Sequence, residues 1–344
     1  MFFSAKSKGF FIDQNEHATL VARTSAPTGA MVVEEVRECA PGDNAALSAA
    51  LLELQHKKTS GGYVHATCGV SPAKRLVRRA TLDLKRVKEP EYMNEMISSQ
   101  FRVEPAQYAL AMLNASDGLD YDFNKAAQKE VVVCGLPSDE VLAMQDALLE
   151  LNIYPDRLEL STVAALGLLA DYLAFTKAKT PVLVLELGTD MTHSFIVTAG
   201  GLDAARPIPQ GFESMIPVVQ KELGLKDEES AKKLFYSNTF DFTGMGSALI
   251  KKLVKELQSS IGFYEVQTGQ SIGQVLCMQV PPKMTWIDGA IAGMLGVAGF
   301  QAELQPWLQT HGITIAEEAA VAGRDLRWLG VLGLMAQYNN NGSV

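Results

Sequence analysis

The feature that most constrains the fold is an order of elements that occurs twice along the chain. Near the start, residues 10–21 form two apolar runs separated by the polar stretch Asp-Gln-Asn-Glu-His. In the second half, residues 182–198 form two apolar runs separated by Gly-Thr-Asp. Two apolar runs joined by a short polar turn predict a β-hairpin, and helical patterns follow both hairpins. We therefore predict a duplicated α/β fold.

The length of the chain agrees with this duplication. It has 344 residues, which suits two or three domain-sized units. A chain of this length buries roughly 75% of the surface that its unfolded form exposes, so the fold needs no disulfide or metal ion. Ligands of open α/β sheets bind outside the carboxyl ends of the strands. We expect any ligand to lie in the cleft between the two halves.

Local patterns predict several further elements. Residues 45–54 have helical periodicity, and Asp43 or Asn44 precedes them as a candidate N-cap. Residues 131–136 are a continuous apolar run, which predicts a strand that is buried on both faces. Ser138 is predicted to cap the helix that follows this strand.

The charge of the chain limits its partners. A formal net charge of −9 argues against general nucleic-acid binding, because neutralising phosphates requires a basic face. Basic residues nevertheless cluster between positions 74 and 88 and alternate with apolar ones. Two interpretations remain open for this segment. It is either a solvated face of a small sheet or an edge that receives a partner peptide near an anionic membrane surface.

Cysteine, histidine and hydropathy patterns indicate a cytoplasmic chain. The cysteines are scattered without a Cys-x-x-Cys motif, which is typical of reduced and mostly buried thiols, and the five histidines are isolated, so we predict no metal site. The first residues lack the apolar core of a signal peptide. No window approaches 18 consecutive apolar residues. We expect no direct insertion into a membrane.

The strongest signal for chemistry lies in residues 182–197. A buried strand carries the acid Glu186 and is followed by a turn with Gly188 and Thr189, and then by Thr192 in the next strand. Such a turn can present backbone N–H groups to a phosphate while the carboxylate holds a cation or a water molecule. An ordinary hairpin with a glycine turn fits the same residues.

This segment resembles the second phosphate loop of the actin-like ATPases, with Glu186-Leu187-Gly188 where those proteins have Asp-Ile-Gly. Further segments in the same order are similar to the PilM family of type IV pilus assembly proteins, and partly to the division protein FtsA. These segments are residues 131–136, 138–155, 206–211, 227–233, 257–264 and 329–334. The resemblance covers most of the chain in order and spacing, and each motif alone is weak.

The resemblance implies a duplicated actin-like fold of the RNase H-like α/β class, with two lobes and an inserted small α+β subdomain. Residues 1–58 and 128–180 would form the first lobe. Residues 59–127 would form the inserted subdomain, and residues 181–344 would form the second lobe.

The resemblance also implies where a nucleotide would bind. Its first phosphate loop would contain Asp13, Gln14 and Asn15. Its second phosphate loop would contain Glu186, Gly188, Thr189, Asp190 and Thr192. The turn after the second hairpin, the base-binding helix and the adenosine motif would contribute Gly211, Lys232, Gly289 and Ala290.

This chain departs from the family pattern at each part of that site. The first loop has Asn15-Glu16 where the family has glycine and serine, and a carboxylate about 4 Å from a phosphate costs ~4 kcal/mol at an effective dielectric of 20. Asp288-Gly289-Ala290-Ile291 replaces the adenosine motif Ser-Gly-Gly-Gly, and Phe212 replaces a glycine. We expect the fold to be kept while binding of ATP and Mg²⁺ is lost or weak, and we assign no catalytic residue.

The function that the resemblance implies is that of a cytoplasmic scaffold peripheral to the inner membrane. In the PilM family, the scaffold binds the short cytoplasmic N-terminal peptide of a PilN-like bitopic membrane protein and contacts other proteins of the pilus assembly platform. A related secretion system would use a similar subunit. The alternative is an active actin-like ATPase or a sugar kinase that binds MgATP in the cleft between the lobes.

Overall fold

The computed structural model describes residues 8–55, 62–125, 127–237 and 239–340. The predicted boundary at residues 58 and 59 lies outside these ranges. The chain divides into two compact units. The first unit comprises Met1–Phe175, Gly200–Leu202 and Ala302–Val344, and the second comprises Thr176–Ala199 and Asp203–Gln301.

The described residues form strands and helices that we number in chain order. The strands are β1 (Gly9–Gln14), β2 (Thr19–Thr24), β3 (Met31–Cys39), β4 (Val64–Val70), β5 (Leu76–Thr81), β6 (Tyr108–Asn114), β7 (Glu130–Pro137), β8 (Ile153–Leu160), β9 (Val182–Leu187), β10 (Thr192–Thr198), β11 (Gly201–Ile208), β12 (Gln274–Met278), β13 (Ala298–Gly299) and β14 (Ile313–Ile315). The α-helices are α1 (Asn44–Gln55), α2 (Tyr92–Phe101), α3 (Ser138–Glu150), α4 (Ser161–Phe175), α5 (Ile216–Leu223), α6 (Glu228–Tyr236), α7 (Gly246–Leu249), α8 (Lys251–Thr268), α9 (Trp286–Leu295), α10 (Leu304–Thr310) and α11 (Leu329–Asn340).

Five strands follow the same order in both large sheets, and the sheet of the first unit adds β14, which confirms the predicted duplication. The sheet of the first unit has the order β14-β3-β2-β1-β4-β8, and that of the second unit has the order β11-β10-β9-β12-β13. Strand β1 pairs antiparallel with β2 and parallel with β4, and β9 pairs in the same way with β10 and β12. The hairpin, the third strand and the parallel strands therefore occur twice.

Both central strands are buried because helices pack on their sheets. In β9 every residue is buried, and in β1 Phe11 and Ile12 are at most 1% exposed. Helices α4 and α11 pack against each other in the first unit, and α11 also contacts β1. Their close approach depends on Gly333, because a Cβ there would lie 2.6 Å from the carbonyl carbon of Ala164.

A third, small sheet lies later along the chain than the insert that the sequence predicted. This sheet has the antiparallel order β5-β7-β6, and α2 covers one face. The predicted insert, residues 59–127, includes β4, which lies in the large sheet of the first unit. Strand β7 contains the apolar run assigned to the first lobe, and it is the middle strand of the small sheet. That run is buried on both faces as predicted, but in a different sheet.

The C-terminal segment also differs from the prediction, which placed residues 181–344 in one lobe. Residues from Ala302 onward belong to the first unit. Strand β14 pairs parallel with β3, and α11 packs on α4. The residues of α11 are apolar but do not indicate which sheet the helix covers. Its position late in the sequence therefore led to the wrong unit.

The structure also tests the predicted N-caps of α1 and α3 and the predicted burial of the cysteines. Asp43 Oδ1 accepts a hydrogen bond from the Ala46 N–H at 2.9 Å, which confirms it as the cap of α1. Ser138 is instead the first residue of α3, and no side chain caps that helix. All four cysteines are free and buried, as predicted, and burial raises the pKa of Cys68 and of Cys134 to about 12.

No helix in the described ranges combines the length and the hydropathy that crossing a membrane requires.

The contact at Gly333 can be tested with a glycine pair. Gly333→Ala places a methyl group against the backbone of α4, and overpacking of this kind costs about 1–3 kcal/mol. We expect its melting temperature to fall by several degrees in scanning calorimetry, at roughly 2–4 °C per kcal/mol. The control Gly289→Ala lies in α9 with no atom within 4 Å of the added Cβ, and it should melt at or above the wild-type temperature. Equal melting of both variants would contradict the packing.

Candidate functional site

In the turn between β1 and β2, the side chain of Asn15 accepts hydrogen bonds from backbone N–H groups. In a phosphate loop, such N–H groups would point to a phosphate. Asn15 Oδ1 accepts hydrogen bonds from the N–H groups of His17 at 2.9 Å and Ala18 at 3.0 Å. The Asn15 N–H donates to the Ala18 carbonyl oxygen at 3.0 Å. Gln14 accepts a backbone hydrogen bond from the Ser71 N–H at 3.0 Å. These N–H groups are therefore engaged within the protein.

Asp13 is enclosed at the end of β1. The residue is 2% exposed, and its carboxylate accepts a hydrogen bond from the hydroxyl of Ser161, the first residue of α4. A Cβ at Gly330 of α11 would collide with this carboxylate, and it would lie 3.3 Å from the Ser161 Cβ. Helices α4 and α11 therefore both pack against Asp13, and α11 can lie this close because Gly330 has no side chain.

The turn between β9 and β10 directs carbonyl oxygens at the segment that follows β11. The N–H groups of Phe212 and Glu213 donate to the carbonyl oxygens of Gly188 at 3.1 Å and Thr189 at 2.9 Å. A Cβ at Gly211 would lie 2.6 Å from the Gly188 oxygen, so this approach requires glycine. The face of the turn that contacts residues 211–213 thus carries acceptors, which suit backbone donors and disfavour an anion.

Thr192 is also engaged in this region. Its Oγ1 donates to the Gln210 carbonyl oxygen at 2.6 Å, and the residue is fully buried. The hydroxyl that the resemblance assigned to the second phosphate loop therefore connects β10 to the segment that follows β11.

Lys232, which the resemblance assigned to the base-binding helix, forms an ion pair. Lys232 Nζ of α6 lies 2.8 Å from Glu213 Oε1, and Lys232 is about half exposed. The hydrogen bond with Glu213 is the main cause that raises the pKa of Lys232, and the exposed Asp190 contributes to the same shift. Solvent screens such a pair, so its energetic contribution is small. Its effect is to supply an internal anion for Lys232.

Glu186 is buried where the central strand of the second unit ends. It is 1% exposed, and Gln279 Nε2 donates to its Oε1 at 3.2 Å. Gln279 directly follows β12 and adopts a left-handed conformation with φ of 57°. Because β9 and β12 are parallel neighbours, their carboxyl ends meet at one edge of the sheet. The amide of Gln279 therefore reaches the carboxylate at that edge.

The last two predicted residues lie elsewhere in the second unit. Gly289 and Ala290 are inside α9, and Ala290 Cβ would lie 3.1 Å from a Cβ at Gly246 of α7. The loop that joins β12 to α9 contains Gln279 and two prolines instead of glycines. The structure thus brings Gly188, Thr189, Thr192, Gly211 and Lys232 around residues 210–213, and it places Gly289 and Ala290 within α9.

The sequence did not predict the two side chains that pair with Lys232 and Glu186 at the predicted site. Glu213 and Gln279 are polar residues in loops, and neither belongs to a motif that the resemblance carries. The glycine-poor loop after β12 was a visible signal, since Pro281-Pro282 interrupts the strand pattern there. In the ranges that the structure describes, no three or more His, Cys, Asp or Glu side chains are grouped to hold a metal ion.

Three of the seven basic residues between positions 74 and 88 form ion pairs with acids of the same chain. The ion pairs are Lys74 with Glu140 at 2.8 Å, Arg79 with Glu130 at 3.1 Å, and Arg86 with Glu89 and Glu95 at 2.9 Å each. These pairs favour the interpretation as a solvated face for those three residues. The segment also forms β5, an edge strand of the small sheet.

Comparison with known proteins identifies the fold. No protein-family model matches the chain, and no curated protein matches it. A chain of a solved PilM–PilN type IV pilus biogenesis complex is similar over 96% of this chain and 98% of its own length, with a TM-score of 0.64 and 15% identity.

Two further solved structures align with lower scores. A protein of unknown function with an actin-like ATPase fold from Bacteroides thetaiotaomicron covers 96% of this chain and 97% of its own, with a TM-score of 0.45 and 9% identity. The cytoplasmic domain of EpsL, from the type II secretion system of Vibrio cholerae, covers 80% and 84%, with a TM-score of 0.40 and 9% identity. The chain has the duplicated actin-like α/β fold, and at these identities the likeness extends to the fold alone.

The ion pair at Lys232 can be tested by titration. Because Glu213 raises the Lys232 pKa, Glu213→Gln should lower that pKa toward the ordinary value of lysine, as followed by NMR of the lysine side chain. Lys74 provides the internal control, since its pKa is raised by Glu140 and should not respond to this substitution. An unchanged Lys232 pKa in Glu213→Gln would show that the pair does not form in solution.

Proposed function

We propose that this protein is a non-catalytic cytoplasmic scaffold of a type IV pilus or related secretion platform at the inner membrane. In this role it binds the short cytoplasmic N-terminal peptide of a PilN-like bitopic membrane protein, and it contacts other proteins of the assembly platform. The fold likeness to a chain of a PilM–PilN complex, nearly complete over both chains, supports this choice among the functions that actin-like folds perform.

The observation that carries the proposal is that atoms of the protein itself satisfy the groups which a nucleotide would use. In the first unit, Asn15 Oδ1 takes the N–H groups of the first turn, and Ser161 donates to the carboxylate of Asp13. Breaking each such hydrogen bond without an equivalent replacement costs about 1 kcal/mol or more. The first turn is thus already satisfied without a phosphate.

The second unit supports the same conclusion. Glu213 pairs with Lys232, and its carboxylate would repel a phosphate placed beside that lysine. Gln279 donates to Glu186, the acid that would otherwise hold a cation or a water molecule. The residues present therefore do not fit a magnesium-bound nucleotide, and we derive no reaction step through one.

The small sheet of the inserted subdomain offers an edge for a peptide. Its outer strands are β5 and β6. Part of the β6 edge is covered by the chain itself, because the Tyr121 N–H donates to the Met112 oxygen and Leu113 bridges to Asp120. Strand β5 is the other edge. An extended peptide can add to such an edge through backbone hydrogen bonds, with side-chain contacts supplying specificity.

The nucleotide part of the proposal is tested by calorimetry with MgATP. We expect no saturable heat up to about 1 mM ATP, which corresponds to a binding free energy weaker than about 4 kcal/mol. Asp13→Asn and Lys232→Ala should give the same trace as the wild type, because neither residue would hold nucleotide. Micromolar binding that these substitutions weaken, together with release of phosphate, would establish the alternative of an active ATPase or kinase.

The partner part is tested by co-purification. A bitopic protein encoded beside this chain, with a short cytoplasmic tail, one membrane helix and a periplasmic coiled coil, should co-purify with it from detergent extracts. Deleting the cytoplasmic tail should abolish the complex, because the tail is the only part that reaches the cytoplasm. Deleting the coiled coil serves as the control and should leave the complex intact. Retention of the tail-less protein would contradict the proposal.

A further inference from the structure

Two arginines at the start of β5 differ from the other basic residues of their segment. Arg75 is 5% exposed, and its Nη1 donates to the backbone oxygens of Ser71 at 3.3 Å and Pro72 at 2.9 Å. Arg78 lies three residues further on and is partly buried. Burial, and then the charge of Arg75, lower the pKa of Arg78. Two guanidinium groups thus lie close enough to affect each other.

Arg78 has unused hydrogen-bonding capacity. Its Nη1 donates to the Val77 carbonyl oxygen at 2.9 Å, and within the described residues no carboxylate pairs with its guanidinium. A guanidinium has five N–H donors in a planar arrangement that matches a carboxylate. In contrast, Arg79, the next residue of β5, lies 3.1 Å from the carboxylate of Glu130. A partly buried charge without a counter-ion is unfavourable, and an external anion would stabilise it.

The position of Arg78 in the sheet indicates how an anion would reach it. Arg78 lies opposite Val133 of β7, and successive residues of a strand point to opposite faces. It therefore shares its face with Leu76 and Ala80, which are 4% exposed and pack in the core under α2. A strand added to the edge of β5 would place one of its side chains beside Arg78 on this face, at the close distance of a cross-strand pair.

We propose that Arg78 binds the carboxylate of an aspartate or glutamate in an extended peptide that adds to the edge of β5. The inference rests on the proposed function as a peptide-binding scaffold and names the chemistry by which the peptide is recognised. A peptide side chain fits this position better than a lipid headgroup, since Arg78 is partly buried beside an apolar core. The net charge of −9 also opposes attraction to an anionic bilayer.

The experiment selects peptides against the full-length protein. A displayed library of random 12-residue peptides is enriched on the wild type, and affinities of the enriched peptides are measured for Arg78→Gln, Arg78→Lys and Arg79→Gln. Arg79→Gln is the matched control, because it makes the same charge change on the next residue of β5, whose side chain lies on the opposite face. Thermal melting confirms that each variant is folded.

We expect the enriched peptides to share one acidic residue and to bind Arg78→Gln at least tenfold more weakly, a change of about 1.4 kcal/mol. Replacing that acid by its amide should cause the same loss in the wild type and no additional loss in Arg78→Gln. Arg78→Lys, which keeps the charge but not the planar pair of donors, should give an intermediate affinity. Arg79→Gln should bind like the wild type.

The remaining outcomes distinguish a failure of this inference from a failure of the scaffold proposal. Enriched peptides that lack an acid, or that bind Arg78→Gln as tightly as the wild type, would overturn this inference and leave the scaffold proposal intact. A library from which nothing is enriched would contradict the scaffold proposal, and this inference with it. Sedimentation with phosphatidylserine vesicles that depends on Arg78 would assign the arginine to lipid headgroups and would overturn the peptide assignment.

Discussion

Each unit buries a carboxylate near the carboxyl end of its central strand, and the structure around it keeps that group hydrogen-bonded. Asp13 is the fifth residue of β1, and Glu186 is the fifth residue of β9. A buried carboxylate is strongly unfavourable unless donors surround it. Ser161 supplies a donor to Asp13 from the start of α4, and Gln279 supplies one to Glu186 from the loop after β12. Both copies of the duplicated fold must therefore supply a hydrogen-bond donor to a buried carboxylate.

The way in which the chain meets this requirement explains why we propose a scaffold rather than an ATPase. In a nucleotide-binding protein of this fold, ligand and solvent would complete the coordination of such acids, and glycine turns would expose N–H groups to phosphates. Here Asn15 closes the first turn, and Glu213 provides Lys232 with an internal anion. Turns and acids that are already hydrogen-bonded without a ligand are well suited to present a constant surface to a partner.

Residue type and local spacing were sufficient to predict the two hairpins and a cap at Asp43 or Asn44, because each depends on neighbours in the sequence. The scatter of the cysteines without a motif was sufficient to predict that they are buried thiols. Residue type and spacing did not show which sheet a strand joins or which sheet a helix covers. The apolar run of β7 fits any strand buried on both faces, and α11 is apolar without marking the unit that it covers. The resemblance assigned Gly289 and Ala290 to the adenosine motif, and only the structure shows that they lie within α9. Arg78 was visible only as one of several basic residues.

The sequence by itself determined that the chain forms a duplicated α/β fold, because the periodicity of its residues predicts two hairpins followed by helices. That Asn15 and Phe212 stand where glycines are expected follows instead from the resemblance to the actin-like ATPases. Only the tertiary structure decided that Glu213 meets Lys232 and that Gln279 meets Glu186. It also decided that, among the residues it describes, Arg79 has an acid beside it and Arg78 does not. These pairs join residues that are distant along the chain, and packing of whole elements, rather than local preference, brings side chains within hydrogen-bonding distance.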